Sequence, residues 1–385
     1  MESNSIDFVK EQEGLPTKIR SQRLQSLDAL RGFDMFWITG GGSLVHALSA
    51  ALGWGWLQVM DQQLTHPEWN GFHAYDLIFP LFIFMAGVST PFSLDSRLAK
   101  GADKGVLARK AIQRGLILVL LGIVYNNGLF QLPWQEMRFA SVLGRIGLAG
   151  MFAQLIYIYS PARMLVVWLG AILMGYWLFM AFFPVPGCES GMLTMECNPA
   201  SYLDRLLLPG RLHKTIHDPE GLVSTIPAIA TGLMGIFAGK LLRDKESLLT
   251  ANRKVVRMVL AGLAALAVAG AWDIVFPINK NIWSSSFVLF SGGWSLLLLA
   301  LFYWVIDVLQ FRKWTFFFVV IGMNSIVIYM SRKIVDFNYT AQFFTGGLLS
   351  HISESAATVG AVLTFILIQW LFMWVLYRNK WFLKI

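Results

Sequence analysis

Charge is the scarcest property of this sequence. Of its 385 residues, 14% are Asp, Glu, Lys or Arg, against roughly 25% in an average soluble protein. A chain so short of charge cannot coat a water-facing surface, which excludes a soluble enzyme. Cysteine is nearly missing as well. Cys188 and Cys197 are the whole complement, too few for a disulfide framework and without metal-ligand spacing, so no metal is expected. The first 27 residues have no apolar core ahead of a cleavage site, so they are not a signal peptide and the first span is expected to be retained. Low-complexity tracts and convincing repeats are absent too.

What fills the chain is apolar: 56% of residues, gathered into runs long enough for a bilayer, which takes about 20 residues each. Ten such runs are legible, at 29–50, 74–96, 111–130, 140–160, 162–183, 222–242, 255–276, 285–309, 314–335 and 356–377. That number excludes a single-anchor protein. Lipid offers no partner to unpaired backbone groups, so helices are the default. A barrel would need alternating runs of about ten residues, and these are continuous. The expected fold is all-α, a polytopic membrane bundle of about ten helices.

The net charge of +8 does not point to nucleic acid, because the basic residues flank the spans, where they set topology. With the N-terminus in the cytoplasm, 23 of the 31 Lys and Arg fall on the inner side, seven outside, and Arg145 within a span. Both termini are thus expected inside. The chain divides into a cytoplasmic segment 1–28, a membrane domain 29–377 and a cytoplasmic tail 378–385, with a long outer loop at 184–221. That loop holds both cysteines in an oxidising compartment, so a Cys188–Cys197 disulfide is expected, read as bracing for the loop.

Ionisable groups inside a span are costly and either pair or line a cavity. Asp28, Arg31 and Asp34 in the first span recur at three-residue intervals along one helix side. They suit an interfacial ion pair, or an arginine fork held toward an anionic ligand. Gly40, Gly41 and Gly42 follow, fit for close helix packing or for a local opening where a ligand passes the backbone. His46, one turn on, reads as a packed histidine. The next loop concentrates His66, Glu68, Trp69, Asn70, His73 and Asp76 against the membrane. Histidine suits proton transfer near neutral pH; Trp69 could equally anchor the interface, and Asp76 could cap or pair within the second helix. Arg145 needs a counter-charge or a ligand. Asp218-Pro-Glu-Gly221 reads as a helix start, and Asn324-Ser325 as an interhelical hydrogen-bonding pair.

Three of these stretches, Ser26 to Gly32, His66 to Gly71 and Asp76 to Gly87, together resemble the heparan-α-glucosaminide N-acetyltransferase family of transmembrane acyltransferases. Leu143-Gly-Arg-Ile-Gly147, Asp218 to Gly221 and Met323-Asn-Ser-Ile326 extend the resemblance. It implies transfer of an acetyl group from cytoplasmic acetyl-CoA to a glucosamine amine across the membrane. His66 matches the family's proposed catalytic histidine. The family Asn before the glycine run has no counterpart, since Thr39 stands there. The resemblance also implies a homodimer, and a compact bacterial-type member in the cytoplasmic membrane with periplasmic outer loops.

On that reading His66 is the general base or a transient acetyl carrier, and Asp76 or Glu68 orients its ring. Asn70 or backbone amides steady the oxyanion. Arg31, Arg114, Arg145, Lys240 and Arg243 hold the phosphates of acetyl-CoA, with Asp28 orienting Arg31 and the arm passing Gly40 and Gly41. The acceptor is glucosamine or a terminal glucosaminide. Two rivals remain: a transporter of amino sugars or oligosaccharides, which ten spans and a broken first helix also suit, and an enzyme O-acylating a glycan.

Overall fold

A computed structural model describes residues 24–129, 133–244 and 250–383. Most of the expected N-terminal segment, with Lys10, Lys18, Arg20 and Arg23, lies outside these, as do Lys245 and Lys384. The described chain is all-α and contains no strand; two isolated bridges, Gly71 with Asn279 and Arg138 with Gly210, are its β pairings. In chain order the helices are α1 (Gln25–Leu52), α2 (Gly55–Gln63), α3 (Ala74–Leu98), α4 (Lys104–Asn127), α5 (Val142–Tyr159), α6 (Ala162–Phe182) and α7 (Pro199–Leu207). Then come α8 (Thr225–Arg243), α9 (Ala251–Asp273), α10 (Ser285–Val308), α11 (Lys313–Gly322), α12 (Ser325–Ser331), α13 (Phe337–Leu349) and α14 (Glu354–Arg378).

Among the described residues, eight helices are long and apolar enough to cross a membrane: α1, α3, α5, α6, α8, α9, α10 and α14. The expected run 314–335 is not one straight helix. It divides into α11 and α12, bent by 59°, because Asn324 between them leaves the helical region at φ −132°, ψ 38°. The run 111–130 corresponds to α4. Its 24 residues suffice in length, but Arg114 within it and Asn126-Asn127 at its end make it less apolar than the rest. Helices α2 and α13 stand in segments that carry no apolar run and were expected as loops.

The bundle is assembled by helices that meet backbone to backbone. A Cβ on Gly235 of α8 would fall 2.0 Å from the Phe84 carbonyl oxygen of α3, and one on Gly87 would fall 2.1 Å from that of Gly232. In the same way a Cβ on Gly322 would meet the Asp28 carbonyl oxygen at 2.1 Å, locking the end of α11 to the start of α1. The core gathers around α3, α8 and α10, with Phe84, Phe287 and Trp283 fully buried. Helix α14 is the least enclosed span and presents its apolar side chains outward, as a lipid-facing helix must.

Helix α1 is interrupted by a π-turn at Trp37–Gly41, which frees carbonyls that lipid could not satisfy. Protein groups take them. Arg332 donates from Nη1 to the Ile38 oxygen at 2.7 Å, and Gln369 from Nε2 to the Thr39 oxygen at 3.1 Å. Gly40 packs so near α14 that a Cβ would lie 2.4 Å from Ile366.

Candidate active site

A cavity of about 740 Å³ runs through the bundle. One end is marked by Arg31 and Ser89, with Arg114 further along the wall, and the other by His66, Glu220 and Lys280. Ser89 and Asp76 are thirteen residues apart on α3, about 20 Å along a helix axis, which sets the depth between the two ends. Met35, Ile38, Phe79, Phe82 and Ala86 line the stretch between them. Volume and lining both suit a small-molecule site, apolar with a few placed polar groups.

The His66 end is built on the start of α3. The chain enters that helix through a 3₁₀ turn, Ala74–Leu77, and Asp76 Oδ2 accepts from the His73 backbone N–H at 3.0 Å. This capping fixes the carboxylate, and its other oxygen turns to the loop. Oδ1 lies 2.6 Å from His66 Nδ1 and 3.2 Å from Lys280 Nζ. Lys280 Nζ in turn stands 3.2 and 3.3 Å from the two ring nitrogens of His66, and Tyr75 packs on the ring at 5.1 Å. The Asp76 side chain is fully buried, whereas His66 is 49% exposed.

Two loops hold this group in register. Gly71 N–H donates to the Ile278 oxygen at 2.8 Å, Asn279 Nδ2 to Asn70 Oδ1 at 2.9 Å, and Asn281 Nδ2 to the Trp69 oxygen at 3.2 Å. Asn279 also ties its own turn, its Oδ1 accepting from the backbone of Asn281 and Ile282. The 66–71 loop is thereby sewn to the 277–284 turn that carries Lys280.

Chemically, the arrangement is a base with a charge-balanced support. With Nδ1–H donating to Asp76, Nε2 is the basic atom of His66. The buried carboxylate is neutralised by Lys280, which is how a buried charge is tolerated. Burial pushes the Lys280 ammonium below its usual range, against the pull of Asp76. Lys280 stands 214 positions from His66 and drew no attention in the sequence, where it counted as one basic residue in an outer loop. Its only local signal is the Asn-Lys-Asn turn between two spans.

The other residues singled out in the sequence take distinct places. Glu68 is exposed, with no hydrogen bond or ion pair among the described residues, and Asn70 supports the loop through Asn279. His73 contacts Thr65, and His46 pairs with Asp61 at 3.1 Å outside the cavity. At the opposite end Arg31 reaches Ser89 and lies 3.4 Å from Asp28. Asp34 is buried on the same helix.

Five further candidates, Arg145, Lys240, Arg243, Gly40 and Gly41, stand away from the cavity lining. Arg145 is fully buried at the Asp218–Gly221 end, donating to the Gly221 oxygen and to Ser224, with Trp283 4.8 Å beneath its guanidinium. Arg243 pairs with Asp95, and Lys240 lines a separate pocket of about 410 Å³. Gly40 and Gly41 face α14 and Phe36, while the Thr39 hydroxyl donates back to the Met35 oxygen at 2.9 Å.

The wall of the His66 end is completed by the segment before α8. Arg138 clamps Asp218, Nε to Oδ2 at 2.8 Å and Nη2 to Oδ1 at 2.6 Å, and also bonds Glu220. Burial opposes the Asp218 carboxylate, but Arg138 and two backbone N–H groups hold its pKa below the usual range. Trp69 packs against His217 with ring centroids 5.1 Å apart, and its Nε1 donates to the Leu193 oxygen. Cys188 and Cys197 are joined as a disulfide, their Cα atoms 5.6 Å apart. Among the described residues no group of three or more His, Cys, Asp and Glu could hold a metal ion. Asn324, at the bend, donates to the Trp381 oxygen and accepts from Leu383 N–H, so that Phe382 and Leu383 close one side of the cavity.

Residues 23–276 match the family described as heparan-alpha-glucosaminide N-acetyltransferase, catalytic. The chain is similar to the heparan-alpha-glucosaminide N-acetyltransferase of Mus musculus, 30% identical over 375 residues that cover 83% of this chain and 56% of the relative. It is 29% identical to that of Homo sapiens over 421 residues, covering 94% of this chain and 60% of the relative. The chain therefore spans less than two thirds of the length of either relative. The matched region includes Arg31, Arg114 and the His66–Asp76 pair, and ends four residues before Lys280.

Proposed function

Since the chain belongs to the heparan-alpha-glucosaminide N-acetyltransferase family, we propose that it is an acyltransferase and that it moves an acetyl group from acetyl-CoA at the Arg31 end of the cavity to the amine of glucosamine or a glucosaminide at the His66 end. The observation that carries this reading is one continuous cavity with cationic side chains toward one end and a histidine–carboxylate–lysine group at the other. In the proposed orientation the N-terminus and the Arg31 end face the cytoplasm, following the excess of basic residues there. The proposal also takes α4 and the bent α11–α12 pair as membrane spans, ten in all with the eight apolar helices, and a bacterial cytoplasmic membrane as the site.

Arg31 and Arg114 bind the phosphates, since a guanidinium matches phosphate geometry. The uncharged arm then lies along Met35, Ile38, Phe79 and Phe82, and brings the thioester to His66. Nε2 of His66 takes a proton from the acceptor ammonium, because an ammonium has no lone pair for attack. The amine nitrogen forms a bond to the thioester carbonyl carbon, and the carbon–sulfur bond breaks. Of the ammonium's three N–H hydrogens, the amide keeps one, the departing sulfur receives one and one is released. Asp76 holds the imidazole by Nδ1, the substrate ammonium takes the place of Lys280 Nζ at Nε2, and Lys280 is the cation placed to steady the tetrahedral oxyanion.

The test uses purified protein in lipid vesicles, labelled acetyl-CoA on one side and glucosamine on the other. N-acetylglucosamine made by wild type and not by His66→Ala supports the reading. Saturable movement of unmodified sugar, or a base-labile O-acetyl product, would replace it with transport or with O-acylation.

A further inference from the structure

The group that recognises the acceptor is not identified by the base. His66 accepts a proton from any correctly placed donor, so the choice of an amino sugar over a neutral sugar needs a residue that reads positive charge. The wall facing His66 contains one.

Glu220 lines the cavity at the same end as His66 and Lys280. Its loop is fastened to the His66 loop by the Trp69–His217 contact at 5.1 Å, and its charge is felt at Lys280. Arg138 is already matched without it. Asp218 accepts two bonds from that guanidinium and two more from the His213 and Glu220 backbone N–H groups, each at 3.0 Å. Glu220 is the second carboxylate on a single arginine. Its Oε2 takes one Arg138 N–H, and Oε1 has no hydrogen-bond partner among the described residues. One oxygen is anchored on Arg138, the other has no protein donor, and the residue lines the reaction cavity.

Resting on the transferase reading, we propose that Glu220 is the specificity residue for the acceptor: its carboxylate holds the substrate ammonium at the His66 end and orients the nitrogen for deprotonation. Arg138 and Asp218 act through it as positioning residues, fixing where the carboxylate stands. A sugar with a hydroxyl in place of the amine offers Oε1 no charged donor and binds poorly, because a site built for a polar partner penalises its absence.

The experiment compares wild type, Glu220→Gln and Glu220→Asp in detergent, each first shown to be monodisperse and to bind acetyl-CoA with wild-type affinity. Glutamine keeps an oxygen for Arg138 and removes the charge. In the transfer assay Glu220→Gln is expected to raise KM for glucosamine at least 10-fold, with kcat and the KM for acetyl-CoA within about threefold of wild type, and aspartate is expected to restore part of the loss. Equilibrium binding of glucosamine and of glucose is measured alongside, with at least a 10-fold preference for glucosamine expected in wild type and lost in Glu220→Gln. Unchanged KM and unchanged preference in the glutamine variant would overturn the proposal, as would a wild type that binds both sugars equally, a result obtainable even if the glutamine variant does not fold. A wild type that transfers no acetyl group yet shows the Glu220-dependent preference would sink the transferase reading and leave the ammonium site standing.

Discussion

Asp76 Oδ1 sits between two partners, 2.6 Å from His66 Nδ1 and 3.2 Å from Lys280 Nζ, so one buried oxygen holds a base and an ammonium together. The relation explains why the loop, the start of α3 and the distant 277–284 turn must all be in place before His66 is useful. Each of the three supplies one charge-bearing group.

His66→Ala is expected to lower acetyl transfer by about 10²- to 10⁴-fold, the usual weight of a positioned acid–base group. Asp76→Asn should lower it by a smaller factor, since the imidazole keeps a partner but loses the carboxylate that orients it. Single-turnover transfer from labelled acetyl-CoA measures both, and a His66→Ala rate within threefold of wild type would remove His66 from the chemistry.

Lys280→Met removes the cation and leaves the buried Asp76 carboxylate facing the imidazole alone, which favours the imidazolium. A protonated imidazole accepts no proton from substrate. The acid limb of the pH–rate profile should therefore move to higher pH in this variant, with Lys280→Arg close to wild type. A profile that falls in height without moving would assign Lys280 to oxyanion stabilisation alone.

Arg31→Ala and Arg114→Ala should each raise KM for acetyl-CoA by about 10-fold or more, the scale of a lost hydrogen bond to a charged group. The KM for the acceptor should stay within a factor of two. Steady-state kinetics with both substrates varied separates these outcomes, and an equal rise in both would mean that the cavity itself has been distorted.

Helix α7 and the loop that follows it each contain one buried group, Asp204 and His217, whose titrations oppose each other. Burial lowers His217 to about 4 and raises Asp204 to about 6. Between about pH 4 and 6.5 the unfolded chain binds the histidine proton and the folded one does not, so this term weakens the fold as pH falls. Between about pH 4 and 6 the folded chain keeps the Asp204 proton that the unfolded one loses, so that term weakens the fold as pH rises. Each is on the order of 3 kcal/mol, and they offset. Hydrogen exchange across residues 199–223 should be nearly flat with pH in wild type once intrinsic rates are removed. Asp204→Asn should lose protection as pH falls toward 4, and His217→Gln as it rises toward 6.

Much of the bundle was legible because lipid forces long apolar runs, and the 66–76 stretch stood out because polar residues are rare beside a span. Three things were not legible, each for a physical reason. Run length does not report a bend, and Asn324 breaks its helix through bonds to Trp381 and Leu383 more than fifty positions away. The glycine run of α1 suits packing and ligand passage equally, and only the contact with Ile366 and the bonds from Arg332 and Gln369 separate them. Basic residues near spans all read alike, so charge alone did not distinguish Lys280 beside His66, or Arg114 on the cavity wall, from Lys240 and Arg243 outside it.

The separation of charge along the cavity has an electrical consequence. Arg31 marks one end, Arg114 stands on the wall, and the stretch at Met35, Ile38, Phe79 and Phe82 carries no charge. If the phosphates of the donor stop at the arginines, only its neutral arm enters the part of the bundle where the transmembrane voltage falls. Moving a full elementary charge through that field would cost or release about 2.3 kcal/mol per 100 mV; moving an uncharged arm does neither. Donor binding should then proceed at the same affinity in an energised membrane and in a collapsed one, which lets the reaction run on the chemical free energy of the thioester alone.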